Sequence, residues 1–347
     1  MKVSIGTKIK EGPWGGGNLF AVNLKQYLLS MGYEVVHDLE DQDIDIILLR
    51  EPRVTSESSA FTHYDVENYL KYINYEAIVV HRINECDERK NTNYVNKYII
   101  YANQVSDASV FVSKWLEQIY IDQGIKSTDN NVIYAGADKK IFNIEGFKPW
   151  NKKEKLKIVT HHWGANWNKG FETYLKLDEL IGTEKWKDKL SFTYIGNVPK
   201  NIKFRNSLVV TPLSGEKLAN EIKQNHLYVT GSENEPSGNH HIEAAQCGLP
   251  VLYLNSGGMP EYCNGFGVEY HINDFEAKLE KITSEYDSYI KKVKLYPNNS
   301  QIMCSEFLDL FSRLIAEKES IYLNRDIKKN QNKLKENIFL LKKKILK

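Results

Sequence analysis

Short apolar runs alternate with longer amphipathic segments from the first residue to about Val268, and no other pattern restricts the folding of this chain as strongly. An apolar run of four to six residues reads as a strand buried on both faces, and the amphipathic segment after it as a helix with one apolar stripe. Repeated in that order, they build a parallel sheet covered by helices, an α/β fold. The periodicity predicts strands over 2–5, 45–49, 77–80, 108–112 and 131–134, with helices over 19–31 and 114–123 between them. Gly32 and Gly124 fall where those helices would need a left-handed residue to stop.

The stretch 146–155, Gly-Phe-Lys-Pro-Trp-Asn-Lys-Lys-Glu-Lys, interrupts the pattern, which then restarts with strands expected at 156–159, 190–195, 208–210, 227–229 and 251–254. Helices are expected at 170–180, 214–224 and 240–247. A chain of 347 residues can bury two separate cores. We therefore expect domains over 1–150 and 151–305 and a helical segment over 306–347. In the tail, Ile327, Leu334, Ile338, Leu341 and Ile345 share one helical face amid lysines. A core-facing stripe is the first expectation, and peripheral contact of 325–347 with anionic lipid the second.

Charge and cysteines narrow the function classes. The 46 basic and 45 acidic residues leave a formal charge of +1, which supplies no electrostatic footprint for nucleic acid. Cys86, Cys247, Cys263 and Cys304 lie far apart without a C-x-x-C pair, so reduced packing thiols are expected. No apolar stretch approaches a membrane span or a signal core, and a cytoplasmic location is expected. Asp43-Ile-Asp45 has the D-x-D form of a metal site, but Asp45 leads directly into an apolar strand and is read as its entry turn. His240-His241 point about 100° apart on a helix, so no required metal is expected; no cofactor is expected either.

The chemistry concentrates in 227–267, which reads as strand, polar glycine-rich loop, helix, strand and second glycine loop. At its centre, Glu235 and Glu243 are separated by seven residues, Glu235 on the loop and Glu243 just inside the helix. Ser237, Gly238, Asn239 and His240 would present backbone N–H groups at a helix N-terminus, where orphan donors and the macrodipole favour a diphosphate. Carboxylates are acceptors only, so Glu235 suits the hydroxyls of a transferred sugar and Glu243 those of a ribose.

Glu235, Glu243-Ala244-Ala245, Gly248-Leu249-Pro250-Val251 and Ser256-Gly257-Gly258-Met259-Pro260-Glu261, in that order, resemble the signature of retaining GT-B glycosyltransferases of the family 4 type. The resemblance implies two Rossmann-like domains with parallel sheets facing across a cleft. It implies transfer of a sugar from a nucleoside diphosphate donor to a glycan or glycolipid acceptor. It extends to the loop Gly12-Pro13-Trp14-Gly15-Gly16-Gly17-Asn18, where Gly15, Gly16 and Gly17 would approach the donor phosphate, and to 132–138, assigned a structural role closing the first domain.

His81, after the apolar run 77–80, is expected at a strand end facing the crevice, and the resemblance places such a histidine beside donor sugar and acceptor. The charged run 82–90 would line the acceptor side. In 161–170, Lys169 matches the lysine of the family's diphosphate clamp, whereas Trp163 and Gly164 stand where its arginine is expected. His161, His162 or Asn166 are the candidates to replace it. Base recognition would fall to Gly196 with Asn197 and to Thr211. Two alternatives stay open at this stage: a sugar-nucleotide epimerase or hydrolase on the same fold, and a catalytically silent nucleotide-sugar-binding scaffold.

Overall fold

The computed structural model describes residues 1–10, 15–126, 129–330, 335–336, 338–339 and 341. The first half contains β1 (Lys2–Ile5), α1 (Gly16–Ser30), β2 (Glu34–Val36), β3 (Ile46–Leu49), α2 (His63–Tyr72), β4 (Ile78–Ile83), α3 (Asp87–Lys90), α4 (Val95–Ala102), β5 (Ala108–Phe111), α5 (Lys114–Asp122) and β6 (Asn130–Val132). The second contains β7 (Leu156–His162), α6 (Phe171–Ile181), β8 (Leu190–Gly196), β9 (Leu208–Val210), α7 (Gly215–Lys223), β10 (Leu227–Thr230), α8 (Asn239–Gln246), β11 (Val251–Leu254), α9 (Met259–Cys263) and β12 (Gly267–Tyr270). Helices α10 (Phe275–Ser284), α11 (Tyr286–Val293), α12 (Ser300–Ala316) and α13 (Lys318–Leu323) follow.

All strand pairs among the described residues are parallel. The sheets run β2-β1-β3-β4-β5-β6 and β12-β11-β10-β7-β8-β9. Both orders contain a point where succession along the sheet reverses, between β1 and β3 in the first and between β7 and β10 in the second. At such a point the loops leaving the two strands diverge to opposite faces and open a crevice at their carboxyl ends. The loops after β1 and β3, and those after β7 and β10, are therefore where topology predicts ligands.

Central strands read as Ile-Ile-Leu-Leu (β3) and Val-Leu-Tyr-Leu (β11), wholly buried, as expected for a sheet covered on both faces. Helix α1 ends at Gly32, whose φ of 82° allows Tyr33 N–H to return to the Leu28 carbonyl. The edge strands β2 and β12 were not foreseen from the pattern, and β4 runs two residues past His81.

Helix α12 straddles the expected division at 305/306 and packs on the first domain. Its Met303, Phe307, Leu310, Phe311 and Leu314 share a core with Phe20, Leu24 and Leu28 of α1, and the rings of Phe20 and Phe307 lie 5.2 Å apart. Beyond α13, Arg325 is held in the same domain by two bonds to Asp107 (2.9 and 2.6 Å) and one to the Ala77 carbonyl (2.8 Å). Ile327 packs beside the cluster that contains Leu39 and Val66, while Ile338 and Leu341 are exposed. Leu334 and Ile345 lie outside the described residues. No helix among the described residues is long and apolar enough to cross a membrane.

Candidate active site

The two switch points face one another. The N-terminus of α1 follows the loop after β1, and the N-terminus of α8 follows the loop after β10. A Cβ built on Gly16 would lie 3.2 Å from the side-chain amide of Asn239, the first residue of α8. Two helix N-termini thus approach one another across the interdomain cleft, each presenting first-turn N–H groups without intrahelical acceptors. Gly238 precedes α8 at φ 71°, and a Cβ there would meet His240 Cε1 at 2.7 Å and Glu235 Cγ at 2.9 Å. Glycine is what lets the loop turn tightly over both side chains. Ser237 beside it is half-buried. Gly15, Gly16 and Gly17 belong to this approach; Gly12, Pro13 and Trp14 lie outside the described residues.

Glu235 is buried and accepts from Lys169 Nζ (2.6 Å) and Arg89 Nε (2.8 Å). Lys169 comes from a short 3-10 turn, Trp167–Lys169, in the loop after β7, and Arg89 from α3 of the first domain. Burial alone would raise the Glu235 carboxyl, but Lys169 and Arg89 outweigh it and hold it well below the usual carboxylate range. Asn168 Nδ2 donates to the Arg89 carbonyl (2.5 Å) and Asn234 Nδ2 to that of Glu88 (3.3 Å), so α3 is tied across the cleft by backbone as well as charge. Arg89 was not singled out from sequence; only the charge density of 82–90 pointed to it.

Glu243, in α8, is also buried, and His161 Nε2 lies 2.8 Å from its Oε2. His162 turns its Nε2 to the Tyr174 hydroxyl (2.6 Å), and His240 its Nε2 to Thr230 Oγ1 (2.9 Å). The His162 and His240 rings are 4.6 Å apart, and burial first, then neighbouring cations and histidines, push both well below the ordinary imidazole value. Neutral His162 carries no charge with which to replace the expected arginine, and His161 is engaged by Glu243. Asn166 is exposed at the start of the 3-10 turn. Gly196 ends β8 opposite His162, and Thr211 is exposed beyond β9.

His81 differs from its expected place at a strand end. It sits within β4, paired in register with Leu49 and Ser109, and its Nδ1 donates to Asn103 Oδ1 (2.8 Å). Burial lowers it to about 4, so the ring is neutral. It also borders a narrow cavity shared with Arg50, Glu51, Arg53, Arg82 and Glu85 at the first domain's wall of the cleft.

Glu261, the last residue of the second glycine motif, reaches into the first domain. Its carboxylate accepts from the backbone N–H groups of Lys114 (2.8 Å) and Trp115 (2.7 Å) and from the Tyr134 hydroxyl (3.0 Å), capping α5. Tyr262 follows suit, donating to the Val112 carbonyl and accepting from Ala135 N–H. This end of the motif joins the domains. Among the described residues no group of three or more His, Cys, Asp or Glu is arranged to hold a metal.

Two parallel, helix-covered domains closing on one cleft define the GT-B fold of glycosyltransferases. Solved structures agree along nearly the whole chain. A glycosyltransferase from Rickettsia africae is 14% identical with TM-score 0.66, covering 90% of this chain and 98% of that one. HepE from Anabaena, in complex with UDP, is 12% identical with TM-score 0.65, covering 90% and 100%. Sucrose-phosphate synthase from Thermosynechococcus elongatus is 14% identical with TM-score 0.62, covering 91% and 99%. Residues 147–299, most of the second domain, match the family described as Glycosyl transferases group 1. No curated protein matches the chain in sequence.

Proposed function

We propose that this chain transfers a sugar from a nucleoside diphosphate donor to an acceptor hydroxyl, with retention at the anomeric carbon, in glycan or glycoconjugate synthesis. The observation that carries the proposal is the approach of the α1 and α8 N-termini at the paired switch points, with Lys169 and Glu235 beside them. A diphosphate between those termini meets unpaired N–H donors from both domains, and the charge that develops on it as the sugar departs is stabilised in place.

A carboxylate has about four lone-pair sites, and Lys169 and Arg89 use two on Glu235, leaving the remainder for sugar hydroxyls. Glu243 gives Oε2 to His161 and keeps Oε1 for a ribose. Gly196 and Thr211 flank the region assigned to the base. No covalent nucleophile is required: the departing phosphate oxygen takes the acceptor proton on the same face, while Glu235 orients the sugar and His81 shapes the acceptor wall. Closure of the cleft keeps water from hydrolysing the donor. The UDP complex of HepE, and another of its structures with UDP-glucose, support a nucleotide-sugar donor here.

The reading is tested by thermal shift with UDP, GDP, ADP, CMP and dTDP on the wild type and Glu243→Ala. Selective stabilisation by one nucleoside diphosphate, lost in the variant, is expected. Stabilisation by none would contradict the proposal. Product analysis with the matching nucleotide sugar then separates transfer from epimerisation and hydrolysis.

A further inference from the structure

We infer that Arg82 and Arg50, at the switch point of the first sheet, form an anion subsite that takes a phosphate group of a substrate, supplying from the first domain the guanidinium charge that the second domain's loop lacks. The inference rests on the reading that the cleft receives phosphorylated substrates.

Arg82 lies on β4 with its side chain against α1: its Cζ is 3.9 Å above the Phe20 ring, in the second turn of that helix. It is 5% exposed, and Nη1 has no hydrogen-bond partner among the described residues. A guanidinium is weakly hydrated for a cation and the Phe20 ring offsets part of its desolvation, yet a buried one without an anionic partner remains unfavourable. Burial, with Arg50 nearby, lowers Arg82 to about 9, so it remains charged at neutral pH.

Arg50, immediately after β3, has neutral hydrogen-bond partners among the described residues, Thr7 Oγ1 (2.7 Å) and Ser58 Oγ (2.8 Å). Its Nη1 lies against the first turn of α1, so close that a Cβ on Gly17 would fall 2.2 Å from it. Glycine at 17 is what permits a guanidinium to reach that backbone. Glu51 and Glu85 lie close enough to favour the charged form of Arg50, but each is hydrogen-bonded to another cation. Glu51 is chelated by Arg53 (2.7 and 2.6 Å), and Glu85 bonds Arg89 (3.3 Å) and faces Lys90 (3.5 Å). Two arginines and a positive helix end therefore converge without a hydrogen-bonded carboxylate among the described residues, beside the point where Gly16 meets Asn239 of α8.

The phosphate could belong to the donor diphosphate or to a phosphorylated acceptor. The experiment measures binding of inorganic pyrophosphate and orthophosphate to the full chain by calorimetry, alongside melting in anion-poor buffer, for wild type, Arg82→Met, Arg82→Lys and Gly17→Ala. Arg82→Met should melt higher than the wild type without anion and bind pyrophosphate at least about tenfold more weakly, a loss of about 1.4 kcal/mol. Gly17→Ala should weaken binding through Arg50, and Arg82→Lys should restore part of it. A lower melting point for Arg82→Met with unchanged pyrophosphate binding would overturn the inference, as would absence of anion binding by the wild type. Competition between orthophosphate and the stabilising nucleoside diphosphate assigns the subsite to the donor; simultaneous binding assigns it to the acceptor. Because pyrophosphate binding is read without any nucleotide or transfer, failure of the glycosyltransferase reading leaves this test intact.

Discussion

Replacing Glu235 with glutamine removes the negative charge that Lys169 and Arg89 share. Their side chains are 16% and 22% exposed, against 8% for Glu235, so in a largely dry setting Lys169 would lose its bonded carboxylate and Arg89 would keep only the longer contact to Glu85 (3.3 Å). The amide can accept from one of them, but its NH2 group then faces the other. Removing one member of a buried pair costs about 3–5 kcal/mol, and the partial exposure of both cations points to the lower end, about 3 kcal/mol. For a domain of this size each kcal/mol lowers the midpoint by about 2–4 °C, so Glu235→Gln should melt about 6–12 °C below the wild type at pH 7. The folded carboxyl is depressed below its unfolded value, so its contribution is complete above the unfolded pKa of about 4.3 and disappears as pH falls through the folded value. The gap between variant and wild type should thus hold constant from about pH 8 to about pH 5 and close only in stronger acid. Calorimetric melts across that range decide it, with Arg89→Met and the double variant completing a cycle whose coupling should be about 1–3 kcal/mol. A gap under about 2 °C at pH 7, or one that closes between pH 7 and 5, would refute the ion-pair account.

Other consequences are as specific. Glu261→Ala should cost about 1–2 kcal/mol, since two N–H groups at the start of α5 lose their acceptor, and domain docking should loosen; proteolysis at the interdomain segments measures the latter. His241 is fully buried against Tyr262 with neither ring nitrogen bonded among the described residues, so His241→Leu should raise the melting temperature at pH 7 by relieving an unsatisfied polar group worth about 1–3 kcal/mol. Burial lowers His81 to about 4 and His241 to about 3, below their unfolded value of about 6.5; stability should therefore decline as pH falls below about 6.5, and His241→Leu should flatten part of that decline in urea melts. Gly238→Ala forces a side chain into φ 71° and against His240, which should weaken nucleoside diphosphate binding about tenfold or more in calorimetry.

What the sequence disclosed follows from range of interaction. Apolar runs such as Ile46–Leu49 and Val251–Leu254 declare buried strands by themselves, and the loop and helix from Glu235 to Glu243 carry their own turn glycine and N-terminus. The edge strands Glu34–Val36 and Gly267–Tyr270 are short, and each includes a charged residue, so they become strands only because a neighbour offers its hydrogen-bonding edge. Arg89 and Glu235 are 146 residues apart, as are Trp115 and Glu261, and nothing local to either partner announces the pairing. In the sequence His81 reads as a strand end because it is the polar residue that closes the apolar run 77–80. The strand continues because Arg82 buries its guanidinium against Phe20, which the charge alone argues against.

The most direct test of the central claim is a crystal structure of the protein with the nucleoside diphosphate that stabilises it. The account predicts the diphosphate between residues 15–17 and 238–239, within hydrogen-bond reach of both helix N-termini and of Lys169, with the ribose on Glu243. A nucleotide bound outside the cleft, or one whose diphosphate touches neither α1 nor α8, would contradict it.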